Sequence, residues 1–234
     1  MPEWFETMAD PLWLLPDEQG QEEAQFIAQA LHLRKGQAVL DAPSGAGRIA
    51  IHVAQRGCRV TLLDLRATFL RRARQRFRRG GQVGRFVRGD LRELDFEDEF
   101  DAIYNWLGSF GYFPDRENAE LVVHFARALR KGGRLLIAQP NREFILRHFM
   151  RRIPAYNCIS HNSWDAKRKR VISRRYVDGV YDPKNISSMR LYSPGEMMRL
   201  YRSAGLRLEA IYGSLEGDAY CKASRQMYVV GRKG

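Results

Sequence analysis

Apolar and polar positions along this chain follow two rhythms that take turns. Short continuous apolar runs, at Ala38-Val39-Leu40, Val60-Thr61-Leu62-Leu63 and Leu135-Leu136-Ile137-Ala138, have the length of strands buried on both faces. Between them lie stripes with helical spacing: Phe26, Ile27, Ala30 and Leu31; Leu70, Ala73 and Phe77; Leu121, Val122, Phe125, Ala128 and Leu129. The pattern predicts a helix from Asp17 to about Leu31, a strand ending at Asp41, a helix from Ile49, a strand over Arg59–Asp64 and a helix from Ala67 to Phe77. Strands at Arg85–Gly89 and Phe100–Trp106 follow, then a helix capped by Asp115 and stopped at Lys131-Gly132-Gly133, and a fifth strand at Arg134–Pro140. Strand and helix in alternation predict an α/β fold around a parallel sheet.

From Asn141 to Tyr192 the alternation stops. Arg170 to Val177 alternates and is rich in β-formers, Lys167-Arg168-Lys169-Arg170 reads as a hairpin tip, and Asp182-Pro183-Lys184-Asn185 reads as a turn, which predicts an antiparallel meander. The regular grammar resumes at Ser193-Pro194-Gly195-Glu196, a capping box with proline at the first helical position. Its helix carries Met197, Leu200, Tyr201 and Ala204 inward, and two closing strands follow at Arg207–Tyr212 and Arg225–Val230. Four segments result: an N-terminal lid and helix (1–35), a ligand-binding core (36–140), a β insert covering the substrate (141–192), and a C-terminal helix and strand hairpin completing the core (193–234). The aromatic start, with Trp4, Phe5 and Trp13 among Pro2, Pro11 and Pro16, is too proline-rich for a long helix and suits a packed lid.

Composition changes the picture in two places. The chain of 234 residues is long enough for one domain with an insert, and it shows no apolar run long enough to span a membrane and no signal peptide. Cys58, Cys158 and Cys221 are scattered and odd in number, so free thiols in a reducing cytoplasm are expected, with no metal-ligand spacing. The formal charge of +12 is unusual and keeps nucleic acid among the partners to be weighed. Arg66, Arg71, Arg72, Arg74, Arg76, Arg78 and Arg79 crowd one helix face, which reads first as solvated surface and second as a phosphate-binding stripe.

The chemistry concentrates where the first strand turns into its helix, at Asp41-Ala42-Pro43-Ser44-Gly45-Ala46-Gly47-Arg48. Gly45 and Gly47 leave the backbone free to lie against a ligand at a helix N-terminus. Gly45-x-Gly47-x-x-Ala50, with Asp64 further on, fits the loose dinucleotide fingerprint of a nicotinamide oxidoreductase. Asp41, however, would repel a pyrophosphate and attract an ammonium group such as the methionine end of S-adenosylmethionine. Gly89-Asp90-Leu91 then offers an acceptor for an adenine amino group.

With Asp41-x-x-x-Gly45-x-Gly47, Asp64 and Asp90-Leu91 in this order, the chain resembles the class I S-adenosylmethionine-dependent methyltransferases. The stretch Asn105 to Phe113 is similar to one in many bacterial small-molecule members of unassigned substrate. The resemblance covers the chain from about Phe26 onward. It implies a Rossmann-like sheet of seven strands with an antiparallel seventh strand, helices on both faces and the β-rich insert after strand five. It implies S-adenosyl-L-methionine as cofactor and S-adenosyl-L-homocysteine as product, held by Asp41, Ala42, Ser44, Gly45, Gly47, Asp64, Leu65, Asp90, Leu91 and Asn105. Ser109, Phe110 and Tyr112 would wall the reaction chamber, with Trp164, Arg174, Arg175 and Tyr176 of the insert facing it. Tyr112 and His161 are the candidate bases, and no metal is called for. Ser44 stands where many relatives carry Cys, and Ala46 where many carry a larger polar residue, so no subgroup's substrate can be borrowed. The expected reaction is methyl transfer to the N or O nucleophile of a small molecule by direct in-line displacement; RNA is the alternative acceptor.

Overall fold

The computed structural model describes residues 17–155 and 158–234, and the segment bearing Trp4 and Trp13 lies outside them. A seven-stranded sheet runs in the order β3-β2-β1-β4-β5-β11-β10, where β1 is Ala38–Asp41, β2 Arg59–Asp64, β3 Gly84–Arg88, β4 Phe100–Asn105, β5 Leu129–Pro140, β10 Leu206–Tyr212 and β11 Gln226–Lys233. Strands β1 to β5 are parallel, whereas β11 pairs antiparallel to both β5 and β10. Helices α1 (Asp17–Ala30), α2 (Ala50–Gln55) and α3 (Ala67–Arg79) cover one face, and α4 (Asp115–Ala128) and α6 (Pro194–Ser203) the other. The predicted stripes are the buried ones: Phe26, Ile27, Leu70, Ala73 and Phe77 on the first face, Leu121, Val122, Phe125, Met197 and Tyr201 on the second.

The insert comprises a short helix α5 (Arg142–Arg147) and a four-stranded antiparallel sheet of β6 (Arg152–Ala155), β7 (Cys158–Asp165), β8 (Arg170–Val177) and β9 (Val180–Arg190). This is the expected meander, with Lys167 and Arg168 at the β7–β8 tip.

Three local expectations are corrected. Asp182-Pro183-Lys184-Asn185 lies within β9; the chain reverses instead at Asp178 and Gly179, both at positive φ (48° and 79°), as a two-residue hairpin demands. Helix α4 ends at Ala128, ahead of Lys131, because β5 begins at Leu129 and Gly132 (φ 80°) turns within the strand. Asp115 is the first helical residue and makes no capping bond; Pro114 occupies the cap. Its carboxylate pairs instead with Arg170 and Arg190. The capping box at Ser193 forms as read, with Ser193 Oγ accepting from Glu196 N and Glu196 accepting from Ser193 N.

Candidate active site

The carboxyl ends of β1, β2 and β4 and the turns after them open onto one cleft, where doubly wound sheets take their ligands. Among the described residues its wall includes Asp41, Ser44, Gly45, Arg48, Asp64, Leu65, Arg66, Phe69, Arg76, Gly89, Leu91, Trp106, Ser109, Tyr112 and Phe113, enclosing about 1230 Å³ of space including the open mouth.

The glycine loop is held from three sides. Gly45 N donates to Asp64 Oδ2 at 2.8 Å, and Arg66 N donates to Asp64 Oδ1 at 2.9 Å, so the acid ending β2 is fixed by the main chain. Ser44 N donates to Leu63 O at 2.9 Å. Arg76 reaches from α3 to donate to Ala46 O at 3.1 Å. Gly47 sits where a Cβ would stand 3.0 Å from Leu62 Cδ2 and 3.1 Å from Ala73 Cβ, with φ at +70°; only glycine lets α3 lie this close.

Parallel register places Asp41 opposite Tyr104, and both are buried. Burial lifts the Asp41 carboxyl well above the usual carboxylate range; the Tyr104 hydroxyl, at looser geometry than a full hydrogen bond, offsets part of the rise, and Asp64 adds to it. Asp64 is raised too, first by burial, against which the Arg66 and Gly45 amides pull. Among the described residues, four buried polar atoms around this point have no hydrogen-bond partner: Ser44 Oγ, Arg48 Nη1, Tyr104 OH and Asn105 Oδ1. Such orphans cost about 1–3 kcal/mol each unless a ligand completes them. Arg48 is also ion-paired to Glu23 of α1 at 2.5 Å, both groups buried.

The other sequence candidates are placed as follows. Asn105 is buried behind the cleft wall and donates to Ala42 O at 2.8 Å, so it braces the loop. Ala42 is likewise buried. Asp90 lies between two wall residues, Gly89 and Leu91, and its carboxylate is occupied by Arg92 at 2.7 Å; burial raises it, but the Arg92 hydrogen bonds outweigh burial and hold it below the usual range. Ser109 and Tyr112 stand on the wall. Phe110 does not, being wholly buried against Tyr192 with ring centroids 5.4 Å apart. Burial pushes the Tyr112 phenol up to about 12, with Arg175 pulling the other way.

Two-residue alternation divides the insert candidates between the faces of its sheet. Trp164 and Arg175 share one face, while His161, Arg174 and Tyr176 share the other, where His161 and Arg174 are exposed and the His161 ring packs on Tyr176 at 4.8 Å. None of these five lines the cleft as it stands among the described residues.

Residues the sequence did not single out are Arg48, Phe69, Arg76 and Trp106. Trp106 stacks on Tyr228 at 5.1 Å and lies 6.1 Å from Phe26, which in turn lies 4.9 Å from Tyr228, so its ring is held in a three-ring cluster. Arg66 and Arg76, counted with the solvated stripe, are wall residues. The available signal was their position, at the N-cap and in the third turn of the helix that abuts Gly47.

Residues 39–133 match the methyltransferase domain family. A glycine/sarcosine N-methyltransferase of Halorhodospira halochloris is 30% identical over 135 residues, 56% of this chain and 50% of that protein, so the match spans half of the relative's length. Among solved structures, an S-adenosylmethionine-dependent methyltransferase from Clostridium acetobutylicum ATCC 824 superposes with a TM-score of 0.77 at 14% identity, covering 92% of both chains. The CcbJ methyltransferase from Streptomyces caelestis does so with 0.76 at 18% identity, over 97% of this chain and 98% of that one. Over residues 39–133 the chain matches a methyltransferase domain, and its fold is the one these methyltransferase structures share. That assignment sets aside the dinucleotide-oxidoreductase reading of Gly45-x-Gly47-x-x-Ala50.

Proposed function

We propose that this protein transfers the methyl group of S-adenosyl-L-methionine to an N or O nucleophile of a small molecule by direct in-line displacement. The observation that carries the reading is the convergence of Asp41, Asp64 and unpartnered Ser44 Oγ on one glycine loop. These groups suit the cofactor's parts: Asp41 an ammonium, Asp64 the ribose hydroxyls, and the Gly89-to-Leu91 edge the adenine. The bound cofactor supplies an electrophilic methyl on a sulfonium. The chain's share is then alignment and exclusion of water, worth on the order of 7–11 kcal/mol of barrier in a well-oriented site. Trp106, Phe113 and Leu91 give the apolar wall, while Ser109 and Tyr112 supply the hydroxyls that orient the acceptor. With its pKa about 12, Tyr112 stays protonated near neutrality and serves as a hydrogen-bonding group rather than a base.

A small amine is the acceptor class to test first, on the strength of the glycine/sarcosine N-methyltransferase relative. RNA is the second reading, supported by the exposed Arg71, Arg74, Arg78 and Arg79 of α3. Titration of S-adenosylhomocysteine, followed by labelled methyl transfer to a panel of small amines and to RNA at low salt, tests both. Micromolar binding with transfer to an amine supports the first reading; absence of binding overturns it.

A further inference from the structure

The guanidinium of Arg170 on β8 is almost withdrawn from water, its side chain 12% exposed, yet its carboxylate partner Asp115, 3.3 Å away, is itself mostly in solvent. What receives its N–H groups is main chain. Nη2 donates to Phe113 O, and Nη1 to Ser188 O at 3.0 Å and more distantly to Gly111 O at 3.4 Å. Arg190 on β9, 8% exposed, donates its backbone N–H to the same Gly111 O at 2.8 Å, while its side chain reaches Asp115 at 3.3 Å and Glu196 at 2.8 Å. From the other side Asn118 of α4 donates to Phe113 O at 2.7 Å. Gly111 has φ +103°, and a Cβ there would stand 2.4 Å from Arg190 O, so β9 lies directly on this loop. Both carbonyls that flank Tyr112 are therefore held, and Tyr112 and Phe113 are wall residues of the cleft.

Stability does not account for this arrangement. Withdrawing a guanidinium from water costs several kcal/mol before its partners repay it, and apolar side chains of similar shape often serve a fold as well or better. What a planar five-donor fork does is fix the direction of several acceptors at once.

We propose that Arg170, together with Arg190, is a positioning residue that sets where Tyr112 and Phe113 stand in the cleft wall. The insert acts on the site through the main chain of residues 111–113. The clamp is a statement about this chain alone; that the wall it sets is the acceptor wall rests on the methyl-transfer reading above.

Hydrogen exchange on the full chain, wild type against Arg170→Met and Arg170→Lys, tests it. The expected result for Arg170→Met is at least a tenfold rise in exchange confined to residues 107–113, with unchanged exchange in β1, β2 and β3 and no loss of melting temperature. Arg170→Lys keeps the charge but not the fork, and the same local rise is expected in smaller measure; it decides the matter if Arg170→Met does not fold. Unchanged exchange at 107–113 overturns the proposal, as does a uniform rise with a fallen melting temperature, the mark of a merely structural residue. S-adenosylhomocysteine affinity should stay within twofold in both variants. Absence of binding by the wild type would strike the methyl-transfer reading and leave the exchange result to judge the clamp.

Discussion

One oxygen of Asp64 accepts the Gly45 amide at 2.8 Å, so the acid that ends β2 and the first glycine of the loop after β1 form a single rigid unit. The other oxygen takes the Arg66 amide at 2.9 Å, which orients the lone pairs left for a ligand. Asp64→Ala should weaken S-adenosylhomocysteine more than tenfold, about 1.4 kcal/mol. Asp64→Asn, which keeps an acceptor oxygen, should lose less. Calorimetric titration checks both, and equal affinity in all three proteins would remove Asp64 from the site.

Asp41 makes a prediction about pH. Burial raises its folded-state pKa, so the folded protein holds this proton to higher pH than the unfolded chain does. The stabilising contribution is complete below the usual carboxylate range and is lost as pH rises through the raised folded value. Asp41→Asn cannot ionise. It should therefore melt above wild type near neutrality and converge with it in acid, while binding S-adenosylmethionine less tightly because the ammonium loses its counter-charge. Melting curves from acid to mildly alkaline pH test the sign; a variant that melts lower at neutral pH contradicts it.

The two candidate bases should separate by mutation. His161 is exposed and does not line the cleft among the described residues, so His161→Ala should leave methyl transfer within about twofold. Tyr112 is on the wall, and Tyr112→Phe should lower transfer by about tenfold, the worth of about one hydrogen bond to the acceptor. The phenol titrates only near 12, so the pH profile should keep its shape in the variant. A rate break in wild type that vanishes in Tyr112→Phe would show a phenolate at work.

Arg48 and Glu23 bury opposite charges at 2.5 Å between α1 and the glycine loop. Removing one partner strands the other. Arg48→Met should cost about 3–5 kcal/mol of stability, and the pair Arg48→Met with Glu23→Leu should recover most of it. Denaturant titration of the two variants provides the comparison.

The sheet was legible because its strands are continuous apolar runs and its helices carry clean stripes; α3, for example, buries the Leu70, Ala73 and Phe77 that its spacing predicts. Less of the site was legible, for three physical reasons. A long side chain can leave the face its Cα occupies, which is how Arg76 reaches Ala46 O from a helix read as solvated. Strand alternation alone puts Arg174 and Arg175 on opposite faces, but which face turns toward the core depends on how the insert packs, which sequence does not give. Finally, Asp115 in a cap-like position found stronger partners in Arg170 and Arg190, residues more than fifty positions away.

Gln139 is wholly buried near the end of β5, where it donates to Arg190 O at 3.1 Å and accepts from Tyr192 N at 3.2 Å. The chain departs just after this residue and comes home beside it, so one amide ties the two ends of the insert together. A segment attached in this way is a cassette. It can be replaced without disturbing how β5 pairs with β4 and β11, since those pairings lie outside it. The constraint on such exchange is local: each incoming cassette must bring donors for the carbonyls of Gly111 and Phe113.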